Sequence, residues 1–184
     1  MKPAIKQPEA EIKVEKITEF KQMDLHDLCD SSESIVSDEA LSFSIGSNRS
    51  DPLTRERLET YWKGVLLVPE RELIVGRIDG TIAASIQLVK PSPQNQTSNF
   101  VGNVDHHFVS PWARGHGLAK QLIKAAEAEA KLLGLSVIKL DVRANLESAV
   151  KLYESSGYKR WGTLDKYEMI DGKMIAGHFY YKDL

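Results

Sequence analysis

The sequence predicts an α/β domain in which a mixed β-sheet is flanked by helices. Apolar residues repeat with a strand period in some segments and a helical period in others, in the order βααβββαβαββ. Asp79-Gly80 separates two apolar runs, which is a strong hairpin signal. From Val109 to Leu133 a strand end, a glycine-bearing turn and a helix follow one another. Strands and helices interleaved in this way pack as a sheet with helices on its faces.

The first part of the chain predicts one strand and two helices. Residues 11 to 18 alternate Ile and Val with charged residues, which is typical of a half-buried strand. Apolar side chains predict a helix over residues 19 to 32, and a Ser-, Gly- and Asn-rich stretch predicts a mobile loop over residues 42 to 52. Thr54 is a good N-cap residue for a second helix, which runs through Val65.

The middle of the chain predicts the hairpin and the strand that leads into the turn. Residues 72 to 78 and 81 to 89 are the two hairpin strands, and residues 99 to 109 form the next strand. The helix that follows has an apolar face and a charged face, as expected for a helix packed on a sheet. Gly134 ends it, because glycine adopts the left-handed conformation common at helix ends.

The last part of the chain predicts one more strand–helix unit and a second hairpin. Residues 135 to 142 form an apolar strand of the buried type. Asn145 starts a helix as its N-cap, and Gly157 ends it. Residues 158 to 163 and 173 to 181 are strand-like and surround a second Asp-Gly pair.

Length and composition indicate one globular domain. The chain has 184 residues, of which 42% are apolar and 27% charged. We expect a single domain over residues 11 to 184, preceded by a flexible lead-in over residues 1 to 10. A net charge of −2 gives no sign of a nucleic-acid-binding surface. No apolar run approaches the ~20 residues of a membrane helix, so neither a nucleic acid nor a membrane is an expected partner.

The only cysteine, Cys29, excludes a disulfide bond within the chain. No signal-peptide pattern opens the sequence. Together these features favour a reducing, cytoplasmic location. We interpret Cys29 as a half-buried small apolar residue on an early helix rather than as a nucleophile.

The turn before the long helix is a candidate phosphate site. The first amides of a helix carry partial positive charge, and Gly115 and Gly117 leave room for an oxygen to approach them. A tight turn without a ligand is the alternative. The P-loop pattern fails because Leu118 follows Gly117. The dinucleotide fingerprint lacks its third glycine, since Lys120 stands there, although Asp141 lies where a ribose-binding acid would.

Two linked motifs resemble the GNAT superfamily of acyl-CoA-dependent N-acyltransferases. The family's pyrophosphate signature is Arg or Gln, two residues, Gly, one residue, then Gly or Ala. The run that matches it is Arg114, Gly115, His116, Gly117, Leu118 and Ala119. The downstream residues that match in order and spacing are Asn145, Ala149, Leu152-Tyr153 and Gly157-Tyr158. The resemblance covers residues 11 to 184 and implies a mostly antiparallel mixed sheet. A looser match at the C-terminal end resembles a subgroup that includes the tabtoxin-resistance acetyltransferase; its residues are Gly162, Tyr167, Asp171-Gly172 and the run from Phe179 to Leu184.

The resemblance implies acetyl-CoA as co-substrate and transfer of its acetyl group to a primary amine by direct attack. It implies that Tyr153 protonates the leaving sulfur. It also implies that backbone amides of Phe108 and Val109, with Ser110 as an addition, bind the acyl end of the cofactor, and that the Asn145 side chain binds its arm. A core tyrosine and a simple N-cap are the structural alternatives for Tyr153 and Asn145.

The strand over residues 99 to 109, before the turn, carries the candidates for the general base that deprotonates the amine. Because side chains alternate, Asn103, Asp105 and His107 are expected to share one face and His106 the other. The resemblance implies that the base, or a group that relays the proton through water, lies on this strand at the positions of Asn103 and Asp105. Asp105 and His107 are the candidate bases, and their mutual pairing is the structural alternative. A metal is not expected, since adjacent histidines on a strand point in opposite directions.

The acceptor predicted by this resemblance is a small-molecule amine or a peptide amine. A homodimer is a common arrangement in the family. Two other functions stay open at this point: a non-catalytic acyl-CoA sensor, and a nucleotide-binding oxidoreductase.

Overall fold

A computed structural model describes residues 10–37 and 53–184. The predicted loop over residues 42 to 52 lies outside these ranges, as does the predicted lead-in except for its last residue. The elements within them are β1 (Ile12–Ile17), α1 (Asp24–Ser37), α2 (Arg55–Leu67), β2 (Arg71–Ile78), β3 (Thr81–Val89), β4 (Val101–Val109), α3 (Leu118–Leu132), β5 (Val137–Arg143), α4 (Glu147–Ser155), β6 (Lys159–Ile170) and β7 (Lys173–Asp183). This order confirms the predicted one.

The strands form one seven-stranded sheet in the order β1-β2-β3-β4-β5-β7-β6. All neighbouring strands run antiparallel except β4 and β5, which are parallel. The expected mixed, mostly antiparallel sheet is therefore confirmed. Among the described residues no helix is long and apolar enough to cross a membrane.

Two hydrophobic clusters cover the two faces of the sheet. One joins α3 and α4 to the sheet, with Leu122 and Tyr153 among its buried members. The other joins α1 and α2 to the sheet and contains Trp62, whose indole N–H donates to Ser32 Oγ over 3.1 Å. Cys29 is completely buried in this second cluster, and burial raises the pKa of its thiol to about 11. Cys29 therefore packs in the core on α1, as expected of a small apolar residue, but is more deeply buried than the half-burial predicted.

The local signals in the sequence are confirmed at the first hairpin and at α2. Asp79 and Gly80 both have positive φ, at 50° and 86°, as a two-residue hairpin turn of this type requires. The Thr54 hydroxyl accepts the amide of Arg57, which makes Thr54 the N-cap. β6 extends to Ile170, beyond the predicted end at residue 163, because it pairs with β7 along most of its length.

Two predicted helix starts were wrong. α1 begins at Asp24 rather than residue 19, after Gln22 takes a positive φ of 40°. The Asp24 carboxylate accepts the amide of Lys21 and thereby closes the turn that precedes the helix. α4 begins at Glu147 after Leu146, without a side-chain cap, so Asn145 is not its N-cap.

Candidate active site

The centre of the sheet opens between β4 and β5. These strands pair only at Val101–Val137, Gly102–Ile138 and Asn103–Lys139. Beyond that point β4 continues to Val109 and β5 to Arg143 without pairing to each other. A gap therefore separates the carboxyl ends of two parallel strands, which is where α/β sheets commonly bind ligands.

The turn before α3 has the geometry of an anion site. Gly115 and Gly117 have φ of 86° and 75°, which a residue with a Cβ adopts only with strain. Gly117 is the N-cap of α3, and neither a side-chain cap nor an acidic residue occupies the first turn of this helix. His116 Nδ1 donates to the carbonyl oxygen of Ala113 over 3.1 Å and holds the turn. The first amides of α3 are thus presented to an anion.

A cavity of about 410 Å³ runs from this turn into the gap. Side chains from α1, β4, the turn, α3 and α4 line it: Ile35, His107, Phe108, Val109, Arg114, Ala119, Leu146, Ser148, Ala149, Leu152 and Tyr153. The walls of this cavity are mostly apolar, and the N-terminus of α3 lies at one end. Such a cavity fits an extended molecule with an anionic group. We name it the arm cavity.

Most of the residues predicted to bind the cofactor lie at the arm cavity or its entrance. Phe108, Val109, Arg114, Ala119 and Tyr153 line it. The residues that shape the entrance turn are Gly115, His116 and Gly117. The Leu118 side chain is buried in the core, so only its backbone is available to a ligand. Asn145 is exposed and is not among the lining residues.

A β-bulge in β4 changes which residues face which side. Ser85 pairs with Phe108 and Gln87 with Asp105, so His106 and His107 together lie opposite Ile86. His106 has a positive φ of 47°, which accommodates the extra residue. The prediction that Asp105 and His107 share one face was therefore wrong. His106 turns to the side of Asp105, and His107 turns to α4.

His107 and Tyr153 form a buried pair at the inner end of the arm cavity. His107 Nδ1 and the Tyr153 hydroxyl are hydrogen-bonded at 3.0 Å. Burial lowers the pKa of His107 to about 4, so its ring is neutral at neutral pH, and burial raises the pKa of Tyr153. His107 Nε2 is shielded from solvent and makes no hydrogen bond of ordinary geometry to the described residues, although the backbone of Ala119 lies near enough to favour the protonated ring. The Tyr153 ring is held between those of Tyr158 and Tyr180.

Asp105 and His106 form a second pair, on the α2 side of β4. His106 Nδ1 donates to Asp105 Oδ1 over 2.9 Å. Arg71 donates to both oxygens of the same carboxylate over 3.1 Å, and also to Gln87. The His106 ring packs against Tyr61 of α2, with ring centroids 5.4 Å apart.

A second cavity of about 120 Å³ adjoins the gap, and both pairs line it. We name it the acceptor cavity. It is lined by Val104, Asp105, His106, His107, Asp141, Val142, Arg143, Leu146, Ala149, Tyr153, Tyr167 and Glu168. His107, Leu146, Ala149 and Tyr153 line both cavities, so the His107–Tyr153 pair lies where the two meet.

The far wall of the acceptor cavity comes from β5 and β6, and the contacts between its side chains were not among the sequence predictions. The Tyr167 hydroxyl donates to Asp141, and Arg143 Nε donates to Glu168 over 2.5 Å. Tyr167 packs over Gly177 of β7, where any Cβ would come within 2.2 Å of its ring. A glycine opposite an aromatic residue on a paired strand was the available signal.

Comparisons with known proteins agree with this geometry. The chain matches the Acetyltransferase (GNAT) family over residues 33–158. It is 48% identical over 133 residues to an uncharacterized N-acetyltransferase in the hisH-hisA intergenic region of Azospirillum brasilense, covering 72% of this chain and 76% of that protein.

Two solved structures share the fold at low sequence identity. The N-acetyltransferase from Staphylococcus aureus Mu50 has a TM-score of 0.74 and 20% identity, covering 94% of this chain and 98% of that one. The yncA acetyltransferase structure from Salmonella typhimurium, which contains acetyl-CoA, has a TM-score of 0.69 and 13% identity, covering 94% of each chain. With the family match over most of its length, the chain belongs to the GNAT family and is an acetyltransferase.

Proposed function

We propose that this acetyltransferase transfers the acetyl group of acetyl-CoA to a primary amine by direct attack. The observation that carries the proposal is the junction of the two cavities at the His107–Tyr153 pair. One cavity has an anion site at its entrance and the other is lined by carboxylates. A thioester entering from one side and an amine from the other would meet at this pair.

The arm cavity fits acetyl-CoA on three features. The uncapped N-terminus of α3 suits a pyrophosphate, and Arg114 beside it suits its negative charge. Phe108 and Val109 lie in the stretch of β4 that does not pair with β5, so its edge facing the gap offers backbone groups to the pantetheine arm. The acyl end would then lie near His107 and Tyr153. Asn145 is exposed and does not line the cavity, so it is not part of this set.

The His107–Tyr153 pair suits protonation of the leaving sulfur. Tyr153 keeps its proton at neutral pH because burial raises its pKa. We propose that His107 carries its proton on Nδ1 and donates to the Tyr153 oxygen. The phenol proton is then left to pass to the sulfur, and the hydrogen bond stabilises the oxygen as the proton departs.

The acceptor cavity suits an amine that arrives as a cation. Three carboxylates, those of Asp105, Asp141 and Glu168, line it together with the guanidinium of Arg143. We propose that the amine loses its proton on the Asp105 side of this cavity. A small-molecule amine and a peptide amine both meet these requirements. A homodimer and a cytoplasmic location stay predictions from sequence.

The first test is binding followed by turnover. Melting of the protein is measured with acetyl-CoA and with NADH, and a ligand at about 100 times its Kd adds about 2.7 kcal/mol of stability. A rise with acetyl-CoA alone is expected. Release of the CoA thiol is then followed with butylamine, 1,4-diaminobutane, lysine and glycine amide as acceptors.

Tyr153→Phe separates an enzyme from a sensor in the same assays. The variant is expected to bind acetyl-CoA like the wild type, while kcat falls about 10²-fold or more because the proton donor is lost. Binding by the wild type without amine-dependent thiol release would indicate the acyl-CoA sensor instead. A melting rise with NADH would refute the acetyl-CoA site.

A further inference from the structure

The geometry points to His106, oriented by Asp105, as the catalytic base that takes the proton from the acceptor amine. This inference rests on the proposed function and adds a residue to it. The sequence pattern placed His106 on the opposite face from Asp105, and only the β-bulge brings the two together.

The backbone at His106 has an unusual conformation, which places the ring beside Asp105. Its φ of 47° lies in the left-handed region, which is strained for a residue with a Cβ. The Ser85 hydroxyl, which is completely buried, donates to the His106 carbonyl oxygen over 3.3 Å. Without the bulge the His106 ring would point to the α3 side, away from Asp105. The extra residue therefore delivers an imidazole to the acceptor cavity.

Asp105 is fixed so that it can orient the ring. Arg71 holds both carboxylate oxygens, and the Gln87 amide between Arg71 and Tyr61 holds the guanidinium in place. Because the carboxylate accepts Nδ1–H, the neutral His106 ring has its basic lone pair on Nε2. This is the arrangement in which a carboxylate sets the tautomer of a general base.

His107 is unsuited to the same task although it adjoins His106. Its Nδ1 is bonded to Tyr153, and burial lowers its pKa to about 4. The His106 side chain is 18% exposed, so a proton that it accepts has a path to solvent. The two histidines therefore have different roles: His106 takes the proton from the amine, and His107 supports the proton donor Tyr153.

Charged and titratable side chains surround His106. These come from α2, β2, β4, β5, β6 and α4: Tyr61, Arg71, Asp105, His107, Asp141, Arg143, Tyr167, Glu168 and Tyr153. The Asp105 carboxylate accepts a hydrogen bond from the ring. It keeps the ring in one orientation while the amine gives up its proton.

The proton balance of the reaction closes with these groups. The ammonium loses one proton to His106 Nε2, which passes it to solvent. The free amine forms the C–N bond to the thioester carbonyl carbon as the C–S bond breaks. Tyr153 gives its proton to the sulfur and regains one from the nitrogen. The products are an N-acetyl amide, a free thiol and one released proton.

The test variant is His106→Asn, because asparagine tolerates positive φ better than most residues and so preserves the bulge. With the most active amine of the panel above, kcat/KM near pH 7 is expected to fall about 10²-fold. The loss is expected to shrink to about tenfold or less near pH 9.5, because an alkylamine is then partly unprotonated and needs the base less. The Kd for acetyl-CoA and the Tm should stay close to those of the wild type.

The matched control is His107→Gln, which changes the neighbouring ring. Its loss of activity should persist at high pH, since it affects the proton given to sulfur rather than the proton taken from nitrogen. His106→Asn within about twofold of the wild type near pH 7, or a loss that does not shrink at high pH, would overturn the inference. A wild type that acetylates none of the amines overturns the proposed function, and the inference with it.

Discussion

Acid should destabilise this protein through His107, and replacing that residue should remove part of the effect. Burial lowers the pKa of His107 to about 4 in the folded chain, from an ordinary value of 6.5. Between these two pH values the unfolded state binds more protons than the folded state. The free energy of unfolding therefore falls as the pH falls through this window. Above about pH 6.5 the contribution of His107 is fully present.

The size of this effect follows from the two pKa values. At pH 5 the ratio of the binding polynomials of the unfolded and folded states is about 30, which corresponds to about 2 kcal/mol. At pH 7.5 the same term is close to zero. His107→Gln should therefore lose about 2 kcal/mol less stability than the wild type between pH 7.5 and pH 5. Glutamine is a suitable substitute because it does not titrate and can still hydrogen-bond to Tyr153.

Urea unfolding at the two pH values measures the difference, with the fluorescence of the buried Trp62 as the signal. Comparing the change with pH in each protein cancels the contributions of other titrating groups. His26→Gln is the control, because its side chain is 53% exposed on α1. Equal losses in the wild type and His107→Gln would refute the view that His107 is held neutral by burial.

Three further outcomes are expected. Gly117→Ala should raise the Kd for CoA about tenfold or more, because a φ of 75° strains alanine by about 1–2 kcal/mol. Calorimetry measures the Kd, and Gly64→Ala is the control because this residue lies in open space on α2. Gly177→Ala should displace the Tyr167 ring and raise the KM for the amine, with a loss of about 1–3 kcal/mol in urea unfolding. Asp24→Asn should lower stability by about 3 kcal/mol, since it breaks a buried ion pair with β2, and an unchanged urea midpoint would contradict this.

Local sequence signals predicted the fold well where short-range chemistry determines it. The Asp79-Gly80 turn and the Thr54 cap depend on a few adjacent residues, and both are as predicted. The start of α1 was missed because Asp24 is fixed by Arg77 on β2 as well as by its own turn. A contact across 53 positions leaves no mark in a local apolar pattern.

The candidate site could be predicted only in part for the same kind of reason. The turn around Gly115 and Gly117 has a motif, and in the structure both residues have positive φ. The assignment of Asp105 and His107 to one face assumed regular alternation, and one extra residue in β4 invalidated it. The identity of His106 in the sequence does not predict its positive φ. The bulge follows from pairing with β3, which only the folded sheet shows.

The gap between β4 and β5 also bears on the solubility of the chain. Because these strands separate after three paired residues, the sheet has four edges: the outer ones of β1 and β6, and two inner ones along the gap. Unpaired strand edges recruit other chains and lead to aggregation when they are accessible. Leu146, Ala149 and Leu152 line the arm cavity that opens into this gap. Apolar side chains beside the inner edges hinder a second strand from pairing there, which sets these edges apart from the two outer ones.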